Sequence, residues 1–564
     1  MTPNDTIFVG SHVIGSDGPY RQAIEHHRRG EYVEAGKIYR EILQSNPNHA
    51  DAMCNLIDVC VYEGRHLEAV SLAEKLVSSF PGNVETRHRL GCLYGESGLL
   101  DAAKDAFRQA ASLPGGKAVW RWKHLAFCPV FFATEDEIEA YWTKLNRELD
   151  EAIDEKPMFD WTTLVSDGFC SSFHLPHLDK CCRSVKEKFA KFFLPSFPFE
   201  RPTWRPGRKI RIGFLVTPGH EGGFLRMSSE LIERLNPDKF EVALVYHEST
   251  AALFDGKFRR QYLIRLPYSQ NFPQAVEQIR SARLDAIYYW KVGADNLSFF
   301  LPMCHLAPVQ CTSWCTHGTS GLSTMDYYVS WGKAESLNSQ YQYTEKLFLL
   351  DEKPFYEPLL PDLPVASRAE LQLPGAGAIY FCPHRPSKYH PRFDGYMREI
   401  LERDTTGHIV LLLGKPSMMM KRFIDRMRDT IGEHFSRVIV LPQLDVATYY
   451  RYLSASTVLL NSPIYSGEIT AVDGFLYGVP CVSLTGELLV QRYATAFYDD
   501  FGITGPAASN REEYVEQAVR LALDTKYHRE VSQKIAENRH RFFENAKTVQ
   551  AWERFLEQAV KMDQ

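Results

Sequence analysis

The first part of the chain repeats one pattern of small and apolar residues every 34 positions. A glycine opens each repeat, an alanine follows five residues later, and an apolar residue follows four residues after that. The recurring positions are Gly30, Gly64 and Gly98; Ala35, Ala69 and Ala103; and Tyr39, Ala73 and Phe107. A period of this length predicts stacked helical hairpins over residues 1–117, because small residues let paired helices approach closely.

The hydrophobic pattern changes twice after the repeats. Residues 118–207 are predicted to form a helical connector, since DEIEAYWTKLNRELDEAI places its apolar residues on one helical face. Four prolines between residues 195 and 206 then predict a domain boundary. Beyond them come short apolar runs such as KIRIGFLVT and FEVALVYH, separated by polar or helical stretches. Runs of this kind predict buried parallel strands.

A second set of apolar runs, including AIYFCPH, HIVLLLG and TVLLNSP, lies in residues 366–564. Two successive units of this kind predict two Rossmann-like domains, at residues 208–365 and 366–564, with ligand at the carboxyl ends of the strands. The final segment, from Arg511 onward, is predicted to be helical and to close the second domain. The predicted fold class is therefore α/β with an all-α N-terminal region.

Composition and charge narrow the class of protein. A net charge of −6 and a pI near 6.4 argue against a nucleic-acid-binding protein. No signal-peptide pattern is evident at the N-terminus, and no run of about 18 apolar residues predicts a membrane span. The twelve cysteines contain no C-x-x-C pair and are expected to be reduced thiols. These features predict a cytoplasmic protein.

The most informative stretch for chemistry is TVLLNSPIYSGEITAVDGFLYGVPCVSL. It predicts a buried strand, a loop, and a helix that begins near Ile469 and ends at Gly478. Gly467 precedes the helix, where free backbone N–H groups and the positive end of the helix dipole favour a phosphate. Thr470 can add a hydroxyl donor, and Asp473 can bind a sugar hydroxyl or hold the loop. Taken alone, the motif is also typical of an ordinary strand–turn–helix connection.

Several ordered blocks resemble the protein O-GlcNAc transferase family, and the chain resembles a bacterial-type member of it. The matching residues are Pro463, Gly467, Thr470, Asp473, Gly478 and Pro480; Gly486, Glu487 and Arg492; and Ala307, Pro308, Gln310, Gly318, Thr319, Ser320, Gly321, Met325, Asp326 and Tyr327. That family joins tetratricopeptide repeats, which the N-terminal pattern also resembles, to a two-domain glycosyltransferase-B region. The resemblance covers nearly the whole chain and implies this fold.

The resemblance implies roles for individual residues. His220, in TPGHEGGFLR, matches the histidine that faces the reaction centre, where it would assist proton removal or orient the acceptor. Lys388, in CPHRPSKYHP, matches the lysine that reaches the donor phosphates, and Tyr449 lies where the family stacks a side chain near the nucleobase. Gly467, Thr470, Asp473 and Arg492 complete the implied donor site. Each of these three residues also has a purely structural alternative. His220 would be a loop histidine that caps a helix, Lys388 a solvated loop lysine, and Tyr449 an aromatic residue of the core.

Two residues depart from the family pattern. Glu468 stands where eukaryotic members carry a histidine beside the phosphates, and Ile469 replaces a threonine. A carboxylate at this helix start disfavours a diphosphate unless it turns outward or is paired. Both a UDP-linked sugar and a CMP-linked acidic sugar therefore remain open as donors.

The resulting hypothesis is an inverting, metal-independent glycosyltransferase that moves a sugar from a nucleotide-sugar, preferably UDP-linked, to Ser or Thr of a protein. Flagellin is a candidate acceptor, and the repeats are expected to hold the acceptor in part; alternatively, they only cap and solubilise the rest of the chain. Transfer to an asparagine amide is a neighbouring possibility. A non-catalytic repeat scaffold with a decayed transferase region is the alternative from another class.

Overall fold

The computed structural model describes residues 18–204, 207–360, 363–414 and 417–562. They form two compact units. The first unit contains the repeats up to Ala133 together with Leu413–Asp429, and the second contains Thr134–Leu412 and Thr430–Gln564. The predicted connector, residues 118–207, is thus divided between the two units near Thr134.

The first unit is helical. Its helices up to Ala133 are α1 (Gly18–Arg28), α2 (Tyr32–Ser45), α3 (Ala50–Tyr62), α4 (His66–Ser79), α5 (Val84–Glu96) and α6 (Leu100–Ser112). Helices α2 and α3 form one repeat and α4 and α5 the next, whereas α6 packs against a 3-10 segment at Ala118–Ala126. Gly30, Gly64 and Gly98 have φ angles of +77°, +74° and +77°, which explains why glycine recurs at the turns.

The second unit begins with two connector helices and a seven-stranded sheet. Its elements are α7 (Glu135–Asp154), α8 (Arg183–Phe193), β1 (Ile210–Val216), α9 (Glu221–Arg234), β2 (Phe240–His247), β3 (Ile264–Tyr268), α10 (Phe272–Ser281), β4 (Ala286–Tyr289), α11 (Asn296–Phe300), β5 (Val309–Ser313), β6 (Tyr327–Trp331) and β7 (Lys346–Leu350). The strand order is β3-β2-β1-β4-β5-β6-β7, and all neighbouring strands are parallel.

Burial explains which strands the sequence predicts. Strands β4, β5 and β6 are buried along their whole length, which confirms the prediction from their continuous apolar runs. The apolar pattern does not predict β3, because this edge strand is mostly exposed and contains Pro267. Proline is tolerated at a sheet edge, where one side of the strand makes no ladder hydrogen bonds.

The second sheet has six strands. The remaining elements are β8 (Ile379–Cys382), α12 (Pro391–Arg403), β9 (His408–Leu412), α13 (Met418–Ile431), β10 (Val438–Leu441), α14 (Val446–Ser454), β11 (Val458–Leu460), α15 (Glu468–Leu476), β12 (Cys481–Leu484), α16 (Tyr493–Phe501), β13 (Ala507–Ala508), α17 (Arg511–Leu523), α18 (Thr525–Phe542) and α19 (Ala546–Met562). The order β10-β9-β8-β11-β12-β13 is again parallel throughout. Two Rossmann-like sheets follow the helical region, as predicted.

Each sheet reverses its strand order once, between β1 and β4 in the first sheet and between β8 and β11 in the second. Loops that leave neighbouring strands at such a switch point diverge, and a crevice forms between them. The loops after these four strands carry His220, the segment leading to α11, Lys388 and the Gly467 loop. The fold therefore places the predicted site residues where ligands bind in doubly wound sheets.

The closing helices do not all pack on the second domain. Helices α17 and α18 do so, but α19 returns to the first sheet, where Trp552 packs edge-on against Tyr288 with ring centres 5.1 Å apart. The indole nitrogen of Trp552 also donates to the carbonyl of Pro354 at 2.9 Å. The prediction that the whole final segment closes the second domain thus needs correction for α19, whose apolar face matches the first sheet. Among the described residues, no helix is both long and apolar enough to span a membrane.

Candidate active site

The first switch point holds an imidazole beside a carboxylate. His220 is the N-cap residue of α9, and its Nε2 lies 3.3 Å from Oδ2 of Asp295. Thr217 donates its hydroxyl to the same oxygen at 2.6 Å, while Oδ1 of Asp295 accepts from the backbone N–H of Ser298 at 2.9 Å. Burial alone would raise the pKa of Asp295, but the hydrogen bonds from His220 and Thr217 lower it. Asp295 is therefore an ionised, fixed partner for the imidazole.

Lys388 lies at the second switch point. It ends a 3-10 turn after β8, and its Nζ lies 3.9 Å from the ring centre of Tyr465, a buried residue of the loop before α15. Ser462 of that loop donates its hydroxyl to the backbone carbonyl of Lys388 at 2.8 Å. Burial lowers the pKa of Lys388 to about 8, although the nearby charge of Glu468 acts in the opposite sense. The loop after β8 thus holds a partly desolvated cation against the loop after β11.

The helix start at Gly467 has the predicted form. Gly467 is the N-cap of α15, and its N–H donates to Oδ1 of Asn461 at 3.2 Å. A Cβ at this position would lie 3.0 Å from Oγ1 of Thr470, so the close packing of the turn favours glycine. Gly478, just past the helix end, has a φ of +70°, which confirms the predicted glycine terminator.

Glu468, one of the two departures from the family pattern, is buried beside a histidine. Its Oε1 lies 3.6 Å from Nε2 of His317, which follows β5 of the first sheet. Burial lowers the pKa of His317 to about 4 despite the carboxylate, so the imidazole is neutral at pH 7. Burial would raise the pKa of Glu468, but His317 and the charge of Lys388 lower it. The carboxylate is therefore ionised and held among polar neighbours from both domains.

Tyr449 and Asp473, two of the predicted donor residues, contact each other directly. The Tyr449 hydroxyl donates to Oδ2 of Asp473 at 3.0 Å, and Tyr450 donates to Oδ1 at 3.2 Å. Arg226 of α9 donates to Oδ1 at 2.7 Å, and its Nε donates to Glu357 at 2.8 Å. Asp473 is only 3% exposed. It therefore joins α15 to the helix that carries His220.

Arg492 also bridges the two domains. Its Nε donates to the carbonyl of Ala334 at 3.0 Å, and its Nη1 donates to the carbonyl of Gly486 at 2.9 Å. Ala334 follows the last residues of β6, whereas Gly486 follows β12. In this structure the guanidinium thus holds two loops together, beside the site formed by the other predicted residues.

Sequence reasoning missed several residues of the site. Asp295 follows β4, and a polar residue at the carboxyl end of a buried strand could have indicated it. His317 directly precedes the Gly318–Gly321 block, which matches the family pattern. Arg226 has no local signal, because its partner Asp473 is 247 positions away. Within the described part of the chain, no three His, Cys, Asp or Glu side chains are grouped as metal ligands would be.

Comparisons with known proteins agree with this architecture. Residues 356–550 match the profile of glycosyl transferase family 41, and residues 84–115 match a tetratricopeptide repeat. A tomato (Solanum lycopersicum) protein, the probable UDP-N-acetylglucosamine–peptide N-acetylglucosaminyltransferase SPINDLY, is 24% identical over 276 residues, which cover 48% of this chain and 29% of that protein. The probable transferase SEC of Arabidopsis thaliana, which has the same enzyme description, is 24% identical over 352 residues, covering 59% of this chain and 36% of that protein.

A solved structure is similar over almost the entire length. A mutant of the O-GlcNAc transferase of Thermobaculum terrenum superposes with a TM-score of 0.68 at 19% identity, and the match covers 97% of this chain and 98% of that one. The chain spans only about a third of the length of the two curated plant relatives. The shared fold defines the class as tetratricopeptide repeats followed by a glycosyltransferase-B region. The family 41 match lies in the segment that contains Lys388 and Glu468, and the fold of the whole chain is similar to that of the Thermobaculum terrenum structure.

Proposed function

We propose that this chain is an inverting protein glycosyltransferase that moves a sugar from a UDP-linked donor to a Ser or Thr hydroxyl of a protein. His220 and Asp295 serve the acceptor side of the reaction. Lys388, Gly467 and Thr470 serve the donor phosphates. The proposal also places the protein in the cytoplasm, and its twelve free cysteines, most of them buried, support a reducing compartment.

The contact between Arg226 of α9 and Asp473 of α15, the α9–α15 joint, is the observation that best supports this proposal. Arg226 lies six residues after His220, and Asp473 lies six residues after Gly467. Their side chains meet at 2.7 Å. At a rise of about 1.5 Å per residue, each helix start lies roughly 9 Å along its own helix from this joint. The joint therefore brings the helix starts at His220 and Gly467 close to one contact in the second unit, which supports their proposed roles on the acceptor and donor sides.

The reaction uses these groups in complementary roles. The acceptor hydroxyl attacks the anomeric carbon, a new carbon–oxygen bond forms on the face opposite the nucleotide, and the bond to the phosphate oxygen breaks. The hydroxyl proton passes to a base, and His220 is placed either to accept it or to orient the hydroxyl. Asp295 stabilises the imidazolium that results if His220 is the base. The sugar configuration inverts because a single displacement occurs.

The leaving nucleotide gains negative charge as its bond breaks. Lys388 and the N–H groups at the start of α15 can stabilise that charge without a metal ion. Glu468 at the same helix start opposes a diphosphate, but its contact with His317 and the charge of Lys388 offset part of this repulsion. We therefore propose a UDP-sugar as the donor, and a CMP-linked acidic sugar is the alternative.

The repeats are a second part of the chain that we propose to bind the protein acceptor. Tetratricopeptide repeats stack into a concave surface that suits a polypeptide. We propose that this surface holds the protein acceptor in part, and flagellin is the first acceptor to test. Because the repeats lie in a separate compact unit, their removal should leave donor binding intact.

Incubation with a panel of UDP- and CMP-linked sugars, followed by mass spectrometry of the acceptor, tests the proposal. The expected product is a β-linked sugar on Ser or Thr from an α-linked UDP donor. A variant lacking residues 1–117 should still bind the donor but modify the folded acceptor more slowly. Modification on asparagine, or tighter binding of CMP than UDP, would replace the acceptor or donor assignment. Absence of both nucleotide binding and transfer would favour the non-catalytic scaffold.

A further inference from the structure

A cavity lies at the edge of the first sheet where strands β1, β2 and β4 begin. Its volume is about 370 Å³. His220 and Asp295 follow the other ends of β1 and β4, and the seven residues of β1 span roughly 20 Å at about 3.3 Å per residue. The cavity is therefore separate from the proposed site of sugar transfer.

The lining of this cavity contains four cationic and two anionic side chains, which are Arg208, Lys209, Arg211, Arg283, Glu241 and Asp285. Arg211 occupies both carboxylates. Its Nε donates to Oε2 of Glu241 at 3.0 Å, and its backbone N–H donates to Oδ2 of Asp285 at 2.7 Å. Its Nη1 donates to the carbonyl of Ala282 at 3.1 Å. Arg211 and the two carboxylates thus form a fixed part of the cavity wall.

The other three cations of the lining are unpaired. Within the described ranges of the chain, the side chains of Arg208, Lys209 and Arg283 make no hydrogen bond or ion pair. The whole chain has a net charge of −6, so this local excess of positive charge runs against the overall composition. Guanidinium and ammonium groups are the side chains that most often bind phosphate in proteins. The lining therefore favours a phosphate-bearing ligand.

The backbone at Arg283 supports a role for its side chain. Arg283 directly follows Ala282, the C-cap residue of α10, and its φ is +47°. Glycine or asparagine is favoured at such a position, because a Cβ makes the left-handed conformation unfavourable. Backbone strain of this kind is typical of residues whose side chains serve a function. Helix termination alone does not require an arginine here.

The size of the cavity and one aromatic residue narrow the ligand further. The volume lies in the range of about 300–1,000 Å³ that is usual for small-molecule pockets, and a lone phosphate would leave most of it empty. Trp204 also lines the cavity, and its indole nitrogen donates to the carbonyl of Leu284 at 3.0 Å, which fixes the ring. An aromatic ring beside several cations is the combination that binds a nucleobase together with its phosphate.

We propose that this cavity binds a nucleoside phosphate, with the phosphate on Arg208, Lys209 and Arg283 and the base against Trp204. The site is additional to the proposed donor site around Lys388. It lies at the opposite edge of the first sheet and does not depend on the proposed transferase function.

Isothermal titration calorimetry of the full-length protein with AMP and with inorganic phosphate tests this site. Arg283→Gly removes the guanidinium but suits the left-handed backbone, so its Tm should be equal to or higher than that of the wild type. Its affinity for AMP should fall about tenfold or more, because a charge-assisted contact is lost. The wild type should bind AMP about tenfold more tightly than inorganic phosphate, since only AMP can stack on Trp204.

Lys156→Gly is the matched control. Lys156 also has a φ of +47° and directly follows a helix, α7, but it does not line the cavity. This variant loses the same charge at the same backbone geometry and should bind AMP within about twofold of wild type. Arg208→Gln is a second variant, because Arg208 is exposed and its loss removes no core contact. It should weaken AMP binding several-fold, whatever happens to the Tm of Arg283→Gly.

Lys388→Ala separates the cavity from the donor site and should keep its AMP affinity within about twofold. A loss of AMP binding in Lys388→Ala as large as that in Arg283→Gly would overturn the proposal. Unchanged AMP affinity in both Arg283→Gly and Arg208→Gln would do so too, as would equal affinities of the wild type for AMP and phosphate. A wild type that does not bind AMP would also contradict it. A protein that binds AMP as expected but transfers no sugar would contradict only the proposed function.

Discussion

The two switch points each pair an imidazole with a carboxylate, but they are built from different parts of the molecule. In the first, His220 and Asp295 both belong to loops of one sheet. In the second, Glu468 begins α15 of the second sheet, whereas His317 follows β5 of the first. The first pair can therefore keep its geometry within a single domain. The second pair exists only while the two domains are in contact.

The pairs also differ in their contact with solvent. The side chains of His220 and Asp295 are 21% and 27% exposed, compared with 12% and 8% for His317 and Glu468. A partly exposed imidazole beside an ionised carboxylate can exchange a proton with an incoming hydroxyl. A buried, neutral imidazole instead provides fixed polarity. The comparison therefore supports the proposal that the first switch point handles the proton and the second stabilises charge.

His220→Ala should have the largest effect. Loss of a general acid–base group typically lowers turnover by about 10²–10⁴-fold, and nucleotide affinity should stay nearly unchanged because Lys388 and the start of α15, the proposed phosphate-binding groups, belong to the second sheet. A transfer assay beside UDP calorimetry measures both quantities. His247→Ala, at the carboxyl end of β2 in the same sheet, is the control and should retain most of the activity. A parallel loss of binding and transfer in His220→Ala would assign His220 to the donor side.

Lys388→Ala should reduce both turnover and nucleotide affinity, in contrast to His220→Ala. A charge-assisted contact is worth about 1.5–3 kcal/mol, so a loss of about tenfold or more is expected. Circular dichroism and thermal unfolding should show an unchanged fold. Lys188→Ala, which removes a connector lysine bound to Asp150, is the control for loss of a cation. Activity within about twofold of wild type in Lys388→Ala would remove this residue from the phosphate site.

The pH profile should separate the two switch points further. Because the pKa of Lys388 is lowered from 10.5 to about 8, its cationic form is complete well below pH 8 and is lost as the pH rises through that value. The kcat/KM for the donor should therefore fall on the alkaline side of about pH 8. Lys388→Arg should move this decline to higher pH, since arginine stays protonated. An unmoved alkaline decline in that variant would exclude Lys388 as its cause.

Glu468→His should have the smallest effect, and it tests the second pair directly. Removing a carboxylate from a phosphate-facing helix start should strengthen UDP binding by a few-fold, about the worth of one helix-terminus charge. Glu468→Gln keeps the shape while removing the charge and should change UDP affinity in the same direction. Comparison of UDP and CMP affinities in all three proteins decides the donor. Tighter binding of CMP than UDP by the wild type would defeat the UDP assignment.

Much of the fold was predictable because its signals are local. The repeat period follows from residues 34 positions apart, and continuous apolar runs mark β1, β4 and β5 because these strands are buried on both faces. The Gly467 turn and the glycine that ends the helix at Gly478 were predictable because turn geometry limits which residues fit. Strand β3 was not predictable, because an exposed edge strand does not require a run of apolar residues.

Part of the site was predictable for the same reason. His220, Lys388 and Gly467 lie in the loops that follow β1, β8 and β11, and the carboxyl ends of parallel strands lie at one edge of a sheet. Their mutual contacts were not predictable from that rule. The sequence predicted that Asp473 binds a sugar hydroxyl or holds the loop. It did not indicate that this carboxylate contacts the guanidinium of Arg226 in α9.

The sequence by itself therefore determined the repeats, the two parallel sheets and the positions of the loops that carry the chemistry. Only the tertiary structure decided that Arg226 meets Asp473 across 247 positions, that His317 lies beside Glu468, and that His177 of the connector reaches Tyr465. Periodicity and turn preferences act over a few neighbouring residues, whereas these contacts depend on how the connector and the two sheets pack together.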